Sequence, residues 1–116
     1  MQNKPKLIEQ YAVRGEFVTA HASLTGGTSS TLLTADTVAK LDLVWIGFSN
    51  NSDAATTVTL IDDGTTVNIY PVPASTANQF NYETPVPKNA VAGNWNVDMP
   101  DISGSTITVR ALFVKR

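Results

Sequence analysis

The chain has 116 residues, the length of one compact domain, and a net charge of −2, which gives it no general electrostatic attraction for nucleic acid. It has no Cys and one His, His21, which excludes disulfides, thiolate zinc sites, iron–sulfur clusters and most multi-histidine metal sites. Charged residues make up only 16%, against about 25% in ordinary domains, and the commonest residue is Thr, a strand former.

The opening stretch, Met1-Gln-Asn-Lys-Pro-Lys-Leu-Ile-Glu-Gln, is polar, and the absence of an apolar run predicts no secretory signal. Its weak strand pattern, Pro5 and a local charge of +2 over residues 1–15 beside a body of −7 over residues 16–109 predict an extended arm that contacts another chain. Lys4, Lys6, Leu7, Ile8, Tyr11 and Arg14 are its candidate contact residues. The competing reading is a first strand of the chain's own sheet, with Leu7, Glu9, Tyr11 and Val13 alternating against Ile8, Gln10 and Ala12. The expected organisation is thus an arm over 1–15 and one folded domain over 16–116.

Strand signals then recur at short spacing, the pattern of an all-β sandwich or barrel. Glu16 to Leu24 reads as a strand, broken by Gly26-Gly27 and Ser29-Ser30. Thr34 to Leu41 could make one or two helical turns, or a loop. In Leu41 to Ser49, strict alternation places Leu41, Leu43, Trp45 and Gly47 on one face and Val44, Ile46 and Phe48 on the other, so a central strand covered on both sides is expected. Asn50-Asn51-Ser52-Asp53 reads as a loop rather than a glycosylation acceptor. Ala55 to Asp62 follows, with Val58 and Leu60 on its core side.

Asp63-Gly64 is the clearest local signal, because a two-residue type I′ hairpin needs φ > 0 at both positions. Its return strand is Thr65 to Pro71, with Val67 and Ile69 alternating against Asn68 and Tyr70. Ala77 to Tyr82, Gly93 to Met99 and Thr106 to Lys115 complete a count of seven or eight strands, with a turn over Asp101 to Ser105. Pro71-Val72-Pro73 and Pro85-Val86-Pro87 repeat fourteen residues apart. Proline cannot donate to a ladder, so both belong at strand ends or edges. The expected core is Leu43, Trp45, Val58, Leu60, Val67, Ile69, Val97, Val109 and Ala111, from period-two alternation.

Catalytic chemistry finds little to stand on. His21 sits in a strand-like run, Gly-x-Ser-x-Gly and phosphate-loop patterns are missing, and the pair Asp62-Asp63 reads as turn chemistry. Asp98 and Asp101 show no EF-hand spacing. No enzyme activity, cofactor or metal is therefore expected. The longest apolar stretch, Leu41 to Phe48, is far too short to span a bilayer, and basic residues interleaved with aromatics are lacking, so neither membrane nor nucleic acid is an expected partner. Trp45 and Trp95 could stack on sugars or bases, but alternation with apolar neighbours favours core packing for both.

From Leu41 to Val114 the order of features is familiar: Ile46-Gly-Phe-Ser-Asn-Asn-Ser, the hairpin Thr56-Thr-Val-Thr-Leu-Ile-Asp-Asp-Gly, Tyr70-Pro-Val-Pro-Ala-Ser-Thr, Thr84-Pro-Val-Pro-Lys-Asn-Ala, Asn94-Trp-Asn-Val-Asp and Ile107-Thr-Val-Arg-Ala-Leu-Phe-Val. This resembles the small β-sandwich proteins of tailed-phage structural modules, above all head decoration, or cement, proteins. The resemblance implies a single antiparallel β-sandwich, jelly-roll-like, carrying the arm. It implies a bacteriophage virion protein, made in the host cytoplasm, that binds the outer capsid surface and stabilises the shell. Its partners would be the major capsid protein and itself, as a homotrimer. The alternative is a phage tail or fibre component or a glycan-binding β-sandwich module.

Overall fold

A computed structural model of the chain describes residues 17–25, 29–34, 40–88, 93–100 and 106–115. Eight strands carry them: β1 (Phe17–Thr25), β2 (Ser29–Leu33), β3 (Leu41–Asn50), β4 (Thr56–Asp62), β5 (Thr65–Val72), β6 (Thr76–Val86), β7 (Trp95–Asp98) and β8 (Thr106–Lys115). They form two four-stranded sheets, ordered β1-β8-β3-β6 and β2-β7-β4-β5, with antiparallel pairing throughout. Every connection except β4 to β5 crosses from one sheet to the other, which is the winding of a jelly roll. The all-β sandwich expected from the alternation is the fold observed.

The arm over 1–15 with its six contact residues, most of the possible helical turn before Leu41, and the turn over 101–105 lie outside the described residues. Strand β2 occupies part of what reads as a break after β1. The Ser29-Ser30 pair reads as a break, but β7 supplies ladder partners Asp98 and Val97, and Leu32 is buried in the core. Pro71 and Pro85 fall near the ends of β5 and β6, the edge strands of their respective sheets, where a missing amide donor leaves no central ladder bond unmade.

The core is Leu43, Val58, Leu60, Val97, Val109 and Ala111, as expected, joined by Leu24, Ile46, Tyr70, Trp95, Ile107 and Phe113. Three of the nine expected core residues are not in it, Trp45, Val67 and Ile69, and a bulge accounts for each. Between Leu43 and Trp45 strand β3 advances two residues while β8 advances one, from Phe113 to Leu112. Val44 is thus the extra residue of a bulge, and an extra residue exchanges the two faces beyond it. Leu41 and Leu43 face the core before the bulge, Ile46 and Phe48 after it, and Trp45 is left half-buried on the outer face. Strand β3 is central, but its outer side is not fully covered.

On β5 the extra residue is Val67, because Leu60 pairs with Asn68 while Ile61 pairs with Thr66. Val67 is only partly buried. Beyond it Tyr70, opposite Val58, points inward, and Ile69 is 57% exposed. Asp63 and Gly64 form the two-residue tip between paired Asp62 and Thr65, with φ of 49° and 85°, as the type I′ reading requires.

Asp62 itself is not turn chemistry. It continues the inward row of Val58 and Leu60 and is buried, where it forms an ion pair with the buried ammonium of Lys88. The Lys88 backbone N–H donates to Asp42 Oδ1 at 2.8 Å, and the ammonium lies 5.8 Å from the centroid of the Trp95 ring. Trp95 is a core residue whose Nε1–H donates to the Leu41 carbonyl at 2.8 Å. This group closes the end of the sandwich nearest the β4–β5 hairpin. At the β5–β6 edge the aromatic rings of Phe48, Tyr70 and Phe80 pack with centroids 4.9–6.2 Å apart. The Tyr70 and Tyr82 hydroxyls share a hydrogen bond of 2.7 Å across the two sheets.

Candidate functional site

The outer face of sheet β1-β8-β3-β6 carries the candidate site. Ladder pairing sets three cross-strand rows there. The middle row is Gln79, Gly47, Arg110 and His21, from β6, β3, β8 and β1 in turn. On one side lie Asn81, Trp45, Leu112 and Thr19, on the other Ala77, Ser49, Thr108 and Ser23. None of these twelve positions holds a carboxylate, although the chain has ten Asp and Glu residues. Arg110, on the inner strand β8, and its ladder partner His21, on the edge strand β1, are both exposed.

Trp45 lies down across this lattice. A Cβ built on Gly47 would sit 2.7 Å from two carbons of the benzene half of the indole, so the ring occupies the space that a side chain at 47 would need. Gly47 is buried beneath it. The indole N–H donates to Gln79 Oε1 at 2.7 Å, which fixes the ring's orientation while leaving it half-exposed. Two open depressions flank the ring. One, of about 380 Å³, is lined by Trp45, Gly47, Ser49, Gln79, Thr108 and Arg110 among others. The second, of about 500 Å³, is lined by Thr19, His21, Trp45, Arg110 and Leu112 among others. Trp45 and Arg110 border both.

The arrangement offers an aromatic surface, a fixed cation and neutral hydrogen-bonding groups: the equipment for holding a ligand. The opposite outer face, on β2-β7-β4-β5, is dominated by Thr57 and Thr59 with the exposed Ile69 beside them. Asp98 pairs in the ladder with Thr59 and Ser29, and Asp101 is outside the described residues. Among the described residues no group of three or more His, Asp or Glu side chains is placed to hold a metal ion, and no helix is long and apolar enough to cross a membrane. The Tyr70 phenol is pushed well above its ordinary pKa, first by burial and then by its hydrogen bond with Tyr82; both causes belong to packing at the sandwich edge.

The candidate contacts Lys4, Lys6, Leu7, Ile8, Tyr11 and Arg14 lie outside the described residues. Of the two tryptophans weighed as stacking platforms, Trp95 is core and Trp45 is not. Gln79, Arg110 and His21 did not stand out as partners of Trp45, because only the ladder brings them together. One local signal was present: Trp45 and Gly47, two apart on a strand, share a face, and a glycine there makes room for a ring.

No family model matches the sequence, and no curated protein matches it. Among solved structures, the fold is similar to a chain of the cyanophage Pam1 capsid asymmetric unit, with a TM-score of 0.58 and 7% identity over 86% of this chain and 85% of that one. It is similar to the CBM36-1 domain of a multidomain xylanase from the hindgut metagenome of Trinervitermes trinervoides, with a TM-score of 0.52 and 13% identity over 85% and 96% of the two chains. A third likeness is to the insecticidal delta-endotoxin Cry8Ea1 of Bacillus thuringiensis, with a TM-score of 0.53 and 13% identity over 83% of this chain and 19% of that one. At these identities what is shared is the jelly-roll β-sandwich.

Proposed function

We propose that this chain is a virion structural protein without catalytic activity: a capsid decoration protein that binds the outer surface of a phage head and stabilises it. The observation that carries this reading is the likeness to a chain of a phage capsid asymmetric unit, which covers nearly all of both chains. The match takes in 86% of this chain and 85% of that one. The low charge and the many Thr and Asn residues suit a wet, polar interface between neighbouring copies.

The energetic logic is mass action. A protein that binds only the assembled lattice adds about 2.7 kcal/mol per site when present at one hundred times its dissociation constant, and repeated attachment across a shell multiplies the benefit. The major capsid protein is the partner, and a homotrimer the form in which neighbouring copies meet on the lattice. The test is to mix the purified protein with mature heads that lack it and sediment them. Bound protein at a fixed ratio to capsid subunits, with a raised temperature of head disruption, is the expected result. Protein left wholly in the supernatant overturns the reading.

A further inference from the structure

We propose that the outer face of sheet β1-β8-β3-β6 is a binding site for an acidic sugar, a pyranose ring bearing a carboxylate, of the kind that recurs in uronic-acid polysaccharides. The indole of Trp45 is laid across the sheet over Gly47 and held by Gln79, and it remains half-exposed. A ring fixed in this way loses little freedom when a ligand stacks on it, so stacking is not offset by ordering. The C–H face of a pyranose is flat and weakly apolar, and it suits an indole, which combines a broad apolar surface with a polar edge.

Charge selects among sugars. The three rows around the ring hold Arg110 and His21 and no carboxylate, with exposed Glu83 two residues beyond Asn81 on β6, on a body that is acidic as a whole. Arg110 borders the depressions on both sides of Trp45. Its guanidinium can take a carboxylate through two parallel hydrogen bonds, and Ser49 and Thr108, which line the same depression as Gln79, supply hydroxyls for the sugar's own. A neutral sugar would leave the central cation unused. A flat protein partner would gain little from a single half-exposed ring flanked by two hollows.

The inference does not depend on the capsid reading, since it is tested on the free protein. The full chain is run by affinity electrophoresis through gels containing polygalacturonate, neutral dextran or dextran sulfate, the last a polyanion without uronic acid. Retardation by polygalacturonate alone is expected. Trp45→Ala should weaken it about tenfold, the loss of roughly one stacking contact, and Arg110→Gln should weaken it to a similar degree with an unchanged melting temperature. Arg110 is exposed, so the second variant tests the site even if the first unfolds. No retardation, equal retardation by dextran or dextran sulfate, or retardation that survives both substitutions overturns the proposal.

Discussion

Removing the Lys88 ammonium is expected to be among the most damaging single changes in the molecule. Asp62 ends β4 on the inward row after Val58 and Leu60, so its carboxylate is carried into the sandwich by the alternation that buries them. The paired side chains are only 3% and 1% exposed. Truncating one partner of such a pair costs about 3–5 kcal/mol, since a charge stays behind without its counter-ion. The amide of Lys88 still donates to Asp42 after substitution, so the main chain stays anchored and the loss isolates the ammonium. For a domain of this size about 4 °C accompanies each kcal/mol, so Lys88→Met should lower the melting temperature by roughly 12–20 °C. The double variant Lys88→Met/Asp62→Leu replaces both charges with apolar groups and should recover most of that loss, as such replacements are often neutral or stabilising. Urea unfolding monitored by fluorescence measures all three proteins. If Lys88→Met unfolds within about 0.5 kcal/mol of wild type, a change ordinary for an exposed site, the pair is not buried as described. If the double variant is no better than the single one, the cost does not come from the stranded charge.

The two glycines near the hairpin should differ in how they fail. Gly64 has open space around it and φ of +85°, so Gly64→Val should cost about 1–2 kcal/mol of backbone strain, while Gly64→Asn, which tolerates that region, should cost less; thermal melts of both check this. At Gly93, with φ of +98°, a Cβ would also lie 2.3–2.5 Å from the Asp63 side chain, so Gly93→Ala should be the worse substitution, beyond the roughly 1–3 kcal/mol of strain alone. The raised Tyr70 phenol makes stability fall at high pH. Below the ordinary value of about 10 both folded and unfolded forms keep the proton, and above it the unfolded chain ionises first. Tyr70→Phe should therefore flatten the decline in melting temperature above about pH 10. Ile69→Thr, at an exposed site, should shift stability by less than about 0.5 kcal/mol, whereas a large loss would return Ile69 to the core. Finally, deleting residues 1–10 should leave the melting temperature unchanged and abolish head binding; a truncated protein that sediments with heads refutes the arm.

Sequence alone determined what depends on neighbours along the chain. In β4 and β8 the alternation of Val58 and Leu60, or of Ile107, Val109, Ala111 and Phe113, carries the burial pattern as far as Phe113, because a strand's two faces are fixed by a period of two; after Phe113, Val114 is also buried. Asp63-Gly64 marked its own turn, since its backbone requirement is local, and the two Pro-x-Pro segments marked strand ends or edges. Only tertiary structure decided what depends on register. A bulge exists when one strand has two residues where its partner has one, so Val44 is defined by β8 and Val67 by β4. Either bulge exchanges inside and outside beyond it, which placed Trp45 at the surface, Tyr70 in the core and Ile69 in solvent. The Lys88–Asp62 pair, 26 residues apart, and the row joining Gln79, Gly47, Arg110 and His21 across four strands are likewise products of strand order. Nothing in the spacing of those residues prescribes their meeting, because a jelly roll assembles each sheet from strands that are mostly not consecutive in the chain.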